Sequence, residues 1–184
     1  MVVVAKDTGV RAAPVSPGVH VSIEPLTPAQ LPDLFVYRPD LDRAQIQQRI
    51  ALGHLCFAAW HEGRIVHAGW AATGWAHVPY IHSDVVLGQD EFYVYDSYTL
   101  SEFRRSNLVI ARSEAMHAHF SSLGFRKSYA VVALINRGGL AVVGPAGCRA
   151  IGMYGCVRLG PLYHAWAYPS STEPLPRLRR HNQS

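Results

Sequence analysis

Two adjacent arginines and two nearby carboxylates mark the part of the chain best suited to chemistry. Residues 91–98, EFYVYDSY, are aromatic and β-branched and read as a strand. A polar turn follows over residues 99–103. Arg104-Arg105-Ser106-Asn107 then opens an apolar-periodic run in which Leu108, Ala111, Ala115 and Ala118 share one helical face. Strand, basic turn and helix together make an anion site. The first amides of the helix point at one spot, the helix dipole favours negative charge there, and the guanidinium groups add to it. Glu91 and Asp96 are the carboxylates able to take a proton. Strict alternation puts Glu91, Tyr93, Tyr95 and Ser97 on one face and Phe92, Val94, Asp96 and Tyr98 on the other, so one carboxylate at most faces a given pocket.

Other chemistries find less support. His117 and His119 lie two apart on a helix, where a metal pair needs i and i+4 spacing. His61 and His67 can meet across a hairpin, but no Cys or carboxylate stands at zinc spacing, so no metal is expected. Cys56 sits in an apolar strand and reads as core, and neither GxSxG nor a P-loop occurs.

The 184 residues are 49% apolar and 16% charged, which suits one soluble globular domain. No apolar run reaches the roughly 18 residues of a membrane span, and the start lacks a signal-peptide pattern. Three cysteines without a CxxC suggest reduced thiols and a cytoplasmic setting. A net charge of +4 suits an anionic small molecule better than nucleic acid, for which no long Lys/Arg cluster exists outside the tail.

The elements that must position the arginines are read as follows. Residues 1–18 form a flexible N-terminal arm, residues 19–168 the domain, and residues 169–184 a disordered basic tail. Residues 20–26 are a strand, and Thr27-Pro28 caps a short helix reaching Phe35. A second helix covers residues 44–52. Residues 55–60 and 64–72 form a hairpin around His61-Glu62-Gly63. Residues 73–90 show no period. Gly124 ends the helix of the central unit, and residues 129–135 are a strand buried on both faces. Residues 146–154 read as a helix and 162–168 as a last strand.

The unit over residues 91–136 resembles the GCN5-related N-acetyltransferases. In that superfamily the fourth strand leads into a loop of pattern Gln/Arg-x-x-Gly-x-Gly/Ala that binds the coenzyme A pyrophosphate. The matching residues are Arg104, Arg105, Ser106, Asn107, Leu108 and Val109, with both small positions replaced, by Asn107 and Val109. The resemblance implies an α/β domain with a mixed, twisted six- or seven-stranded sheet and helices on both faces. It implies transfer of an acetyl or other acyl group from acyl-coenzyme A to a small-molecule amine, by direct attack assisted by a general base. Glu91 matches the position of that base, with Asp96 its rival. Main chain at Tyr98, Thr99 and Leu100 would receive the thioester and pantetheine, and Asn136 matches an Asn just past the fifth strand. Trp75, His77, Tyr80, His82 and Tyr93 would line the acceptor site. Ile151 stands where many members carry a tyrosine acid, which leaves Tyr154 as the nearby substitute. An acyl carrier protein as donor, a silent binding protein of the same fold, and a homodimer are compatible with these residues; a membrane or nucleic-acid partner is not expected.

Overall fold

The computed structural model describes residues 1–12, 16–160 and 162–181. In chain order the strands are β1 (Val2–Asp7), β2 (Ser22–Pro25), β3 (Leu55–His61), β4 (Arg64–Thr73), β5 (Trp75–Val78), β6 (Ser83–Val86), β7 (Glu91–Thr99), β8 (Lys127–Val132), β9 (Arg149–Leu159), β10 (Leu162–Pro169) and β11 (Arg177–Arg180). The helices are α1 (Leu31–Tyr37), α2 (Arg43–Ala51), α3 (Leu108–Ser122) and α4 (Arg137–Ala141). Eight strands form one mixed sheet in the order β10-β9-β1-β8-β7-β4-β3-β2, and β11-β6-β5 form a second, small sheet. Among the described helices none is long and apolar enough to cross a membrane.

The main sheet buries both faces. On one, Phe57, Ala71 and Phe92 pack against Met116 and Phe120 of α3. The other is shared. Leu34, Tyr37 and Ile46 of α1 and α2 cover Cys56, Ala58, Ala68 and Trp70. The inner side of the small sheet, Ala76, Val78 and Val85, covers Val3, Ala5, Tyr93, Tyr129 and Ile151.

Several expectations need correction. The first residues are not a loose arm: Val2–Asp7 is an interior strand, antiparallel to both β8 and β9, with Val3, Val4 and Ala5 buried. Its partners lie 120 or more residues away, and no local period announces such a pairing. Residues 146–154 are not a helix. Arg149–Leu159 is a strand, and the helix of this region is the single turn of α4, capped by the Asn136 side chain. Gly152 and Gly155 suit the strand, because a Cβ at either would stand 2.5 Å from Tyr168 O or the Trp166 ring. The tail is also partly ordered, since Arg177–Arg180 pairs antiparallel with Ser83–Val86. The other expected strands, helices α1, α2 and α3, and the hairpin of β3 and β4 are found within a few residues of their predicted ends.

Candidate functional site

The site is built where β7 and β8 part. They are the one parallel pair among the described strands of the main sheet, and their register runs only from Glu91↔Lys127 to Val94↔Ala130. Beyond Val94, β7 stays on β4 as far as the pair His67↔Thr99 but has no partner strand on its other edge among the described residues. Ser97 is therefore exposed although it lies in the middle of an eight-stranded sheet. The main-chain groups on that edge of β7 are open to an added extended ligand.

A bulge sets what surrounds this opening. Between the pairs Trp70↔Tyr95 and Ala68↔Tyr98, β7 carries one residue more than β4. Asp96 takes up the extra length with φ +46°, a left-handed conformation that Asp tolerates better than most residues. The strict alternation expected from the sequence fails here. Ser97 Oγ accepts from Arg112 Nη2 of α3 at 2.8 Å, while Tyr98 turns to the opposite face and packs on Tyr37. Asp96 also faces α1 and α2, paired with Arg49 at 2.5 Å and Arg38 at 3.7 Å. Glu91 and Asp96 thus lie on the same side of the sheet, contrary to the alternation.

The Glu91 carboxylate accepts from Gly88 N at 2.7 Å and from the Tyr129 hydroxyl at 2.9 Å. It sits at the paired end of β7, with Tyr93 and Tyr95 stacked along the face that leads from it into the split. Tyr95 is the last residue before the bulge, and its hydroxyl is 2.6 Å from His54 Nδ1. Burial, aided by the Arg49 charge, lowers the pKa of His54, which keeps it neutral. Burial raises the Tyr95 phenol well above its ordinary value. Sequence reading missed this pair, since nothing local links residues 54 and 95.

Under the sheet, Arg112 is buried with no carboxylate partner among the described residues. Its Nε donates to His67 Nε2 at 3.2 Å, Nη2 to Ser97 and Nη1 to Met116 Sδ at 3.6 Å. An arginine can only donate, so His67 must accept at Nε2 and carry its proton on Nδ1, 2.8 Å from Thr99 Oγ1. Burial, with the Arg112 charge, pushes the His67 pKa down to about 3. Gly69 makes room for this arrangement: a Cβ there would stand 2.9 Å from the guanidinium carbon.

The basic turn lies at the open end of β7. Arg105 and Asn107 both adopt left-handed backbone, at φ +66° and +60°. Asn tolerates this conformation better than most residues with a side chain. Arg104 and Arg105 are exposed, Leu108 is buried and Val109 half-buried. The turn is not bare, however. Gly18 N donates to Ser106 O at 3.0 Å, and Asn107 Nδ2 donates to Ser16 O at 3.2 Å. Residues 16–18 thus rest on the turn.

The remaining expected residues are placed elsewhere. Trp75 and His77 alternate with the inward Ala76 and Val78 on β5 and face away from the main sheet. Tyr80 and His82 are exposed around the turn before β6. Tyr154 is buried on β9 with its hydroxyl donating to Pro176 O at 2.6 Å, so its proton is already engaged. Asn136 Oδ1 accepts from Gly139 N at 2.9 Å as the cap of α4. His77 instead meets Asp84 and His181, a grouping that no spacing in the sequence announces.

No protein-family model and no curated protein sequence matches the chain. Solved structures do. Aminoglycoside antibiotic 6'-N-acetyltransferase AAC(6')-Ih from Acinetobacter baumannii superposes with a TM-score of 0.54 at 18% identity, covering 70% of this chain and 90% of that one. AAC(6')-Iy in complex with the bisubstrate analog CoA-S-monomethyl-acetylneamine gives 0.56 at 14% identity over 70% of this chain and 90% of that one. A GNAT-family acetyltransferase from Colwellia psychrerythraea gives 0.58 at 12% identity, covering 81% of this chain and 52% of that one. A parallel strand pair that splits above a strand–turn–helix unit, within a mixed sheet matching these proteins, gives this chain the fold of the GCN5-related N-acetyltransferases.

Proposed function

We propose that the chain is an acyl-coenzyme A-dependent N-acyltransferase acting on a small-molecule amine, with acetyl as the simplest acyl group. The observation that carries this reading is the unpartnered edge of β7 beyond Val94, next to the Arg104–Arg105 turn. The pantetheine arm would add to that edge through main-chain bonds, which depend little on side-chain identity. Main chain near Tyr98, Thr99 and Leu100 would hold the thioester carbonyl. Arg104 and Arg105 would offset the pyrophosphate charge, and the left-handed residues aim the turn's amides.

The amine must lose a proton before it attacks. Glu91 would take it through water along the tyrosine-lined face, and the Tyr95 hydroxyl, steadied by His54, would protonate the leaving thiolate. The amine nitrogen bonds to the acyl carbon as the carbon–sulfur bond breaks. No covalent enzyme intermediate is needed. Asp96 is a poorer base, since Arg49 and Arg38 already neutralise it. The neighbours of this fold include an enzyme complexed with a bisubstrate analog of an aminoglycoside fragment, which supports a polyhydroxylated or cyclic amine as the first acceptor class to try.

A second reading keeps the chemistry and changes the donor. Residues 16–18 rest on the Ser106–Asn107 turn, where the coenzyme pyrophosphate would lie. A carrier protein presents the same pantetheine arm with a single phosphate and needs less of that turn. Thermal melting with each donor separates the two. Acetyl-coenzyme A at 100 times its Kd should stabilise the chain by about 2.7 kcal/mol. A shift with acylated carrier protein alone selects the second reading, and no shift with either removes the transferase proposal.

A further inference from the structure

Outside the transferase site, the side chains of three strands converge at the outer face of the small sheet. His77 on β5 and Asp84 on β6 are direct cross-strand partners, and Arg179 on β11 is the partner of Asp84 on its other side. His181 follows β11 immediately. The Nδ1 atoms of His77 and His181 lie 3.1 and 2.8 Å from the same oxygen, Asp84 Oδ1. The three ligand atoms fall within 4.8 Å of one another. Arg179 Nη2 holds the second oxygen, Oδ2, at 3.1 Å and lies over the Trp75 ring.

We propose that His77, Asp84 and His181 form a binding site for a first-row divalent cation of the zinc class, which fastens β11 to the small sheet. Nitrogen and oxygen ligands about 2.0–2.2 Å from zinc stand roughly 3 Å apart from one another. The two histidine–carboxylate distances, 3.1 and 2.8 Å, have that spacing, and all three ligand atoms lie within 4.8 Å. Two imidazoles and one carboxylate oxygen are the donor set such ions prefer. Arg179 does what outer-sphere partners of metal carboxylates do: it occupies Oδ2, so that Oδ1 alone is left for the ion. The imidazole ring centroids are 4.0 Å apart, so both Nδ1 atoms close on the same carboxylate oxygen. The two histidines are each about one-third exposed, which leaves the ion's remaining position to water.

The test uses the full chain, stripped of metal with chelator and titrated with Co2+ and then Zn2+. One equivalent of Co2+ should give a visible absorption band that one equivalent of Zn2+ abolishes, and Zn2+ should raise the melting temperature by several degrees. His77→Ala and His181→Ala should each lose the band. His164→Ala, at an exposed position on β10, should keep it. Should the His181 variant melt in chelator as the parent chain does, its loss of the band is a loss of ligation and not of fold. Failure of stoichiometric Co2+ binding, or a band that survives in the His77→Ala, His181→Ala double variant, overturns the proposal. Acyl transfer is not the readout, so the site stands or falls apart from that reading.

Discussion

The proton route can be dissected side chain by side chain. Tyr95→Phe removes the hydroxyl that faces His54 but leaves the ring stack with Tyr93. Turnover should fall about 10²-fold, the lower end of a typical general-acid contribution, while the Kd for acetyl-coenzyme A is unchanged. Glu91→Gln should likewise lower turnover and spare donor binding; full activity in either variant takes that residue out of its role. Two further histidines are structural and control stability. His67 is pushed down to about 3 and His117 to about 4, each first by burial, so both stay neutral in the folded chain. The unfolded chain binds these protons near the ordinary value of about 6.5. Stability is therefore intact above pH 6.5 and falls as pH drops below it, down to the folded values. The slope should be on the order of 1 kcal/mol per pH unit for each residue. Urea unfolding between pH 7 and 4.5 measures it, and His117→Gln should flatten the curve. A curve of unchanged slope would mean that His117 is solvated.

At the level of elements, the turn between β7 and α3 is where the two proposed donors would differ in their contacts. Asn107 has left-handed backbone, and its amide also holds Ser16 against the turn. Asn107→Gly should leave stability within about 1 kcal/mol, since glycine is the natural residue for that φ. It should also free the turn from Ser16 and tighten acetyl-coenzyme A binding, with little effect on a carrier-protein donor. Equal affinity before and after, measured by calorimetry, would mean that residues 16–18 do not compete with the pyrophosphate. The same unit shows what the sequence can reveal. Aromatic alternation and the Leu108, Ala111, Ala115 spacing are local signals, so β7 and α3 are found almost to the residue. Asp96 shows the limit. A bulge comes from pairing with β4, so only the fold reveals that Ser97 and Tyr98 exchange faces. The His54–Tyr95 pair and the His77–Asp84–His181 cluster were hidden for the same reason, because their members meet only across strands or elements.

For the whole molecule, the first strand is the part that sequence and structure treat most differently. VVVAKD is too short and too apolar to show a period, and it looks dispensable at a chain end. In the fold it joins the two halves of the main sheet. β8 lies on one side and β9 on the other, so without β1 the β9–β10 hairpin has no ladder to the rest. Lys6, fully enclosed, pairs with Glu114 of α3, which adds a tie to the helix of the proposed donor site. Removing residues 1–7 should thus expose two sheet edges and empty the core layer of Val3 and Ala5. Circular dichroism should show no cooperative thermal transition for the shortened chain, and donor binding should vanish with it. A synthetic peptide of residues 1–12 added in trans should restore both, because an edge-to-edge slot accepts a strand by main-chain pairing. Val3→Asp in that peptide should abolish the rescue, since it would bury an unpaired carboxylate. A truncated chain that still melted cooperatively would show that the sheet closes without β1, with β8 and β9 able to pair directly.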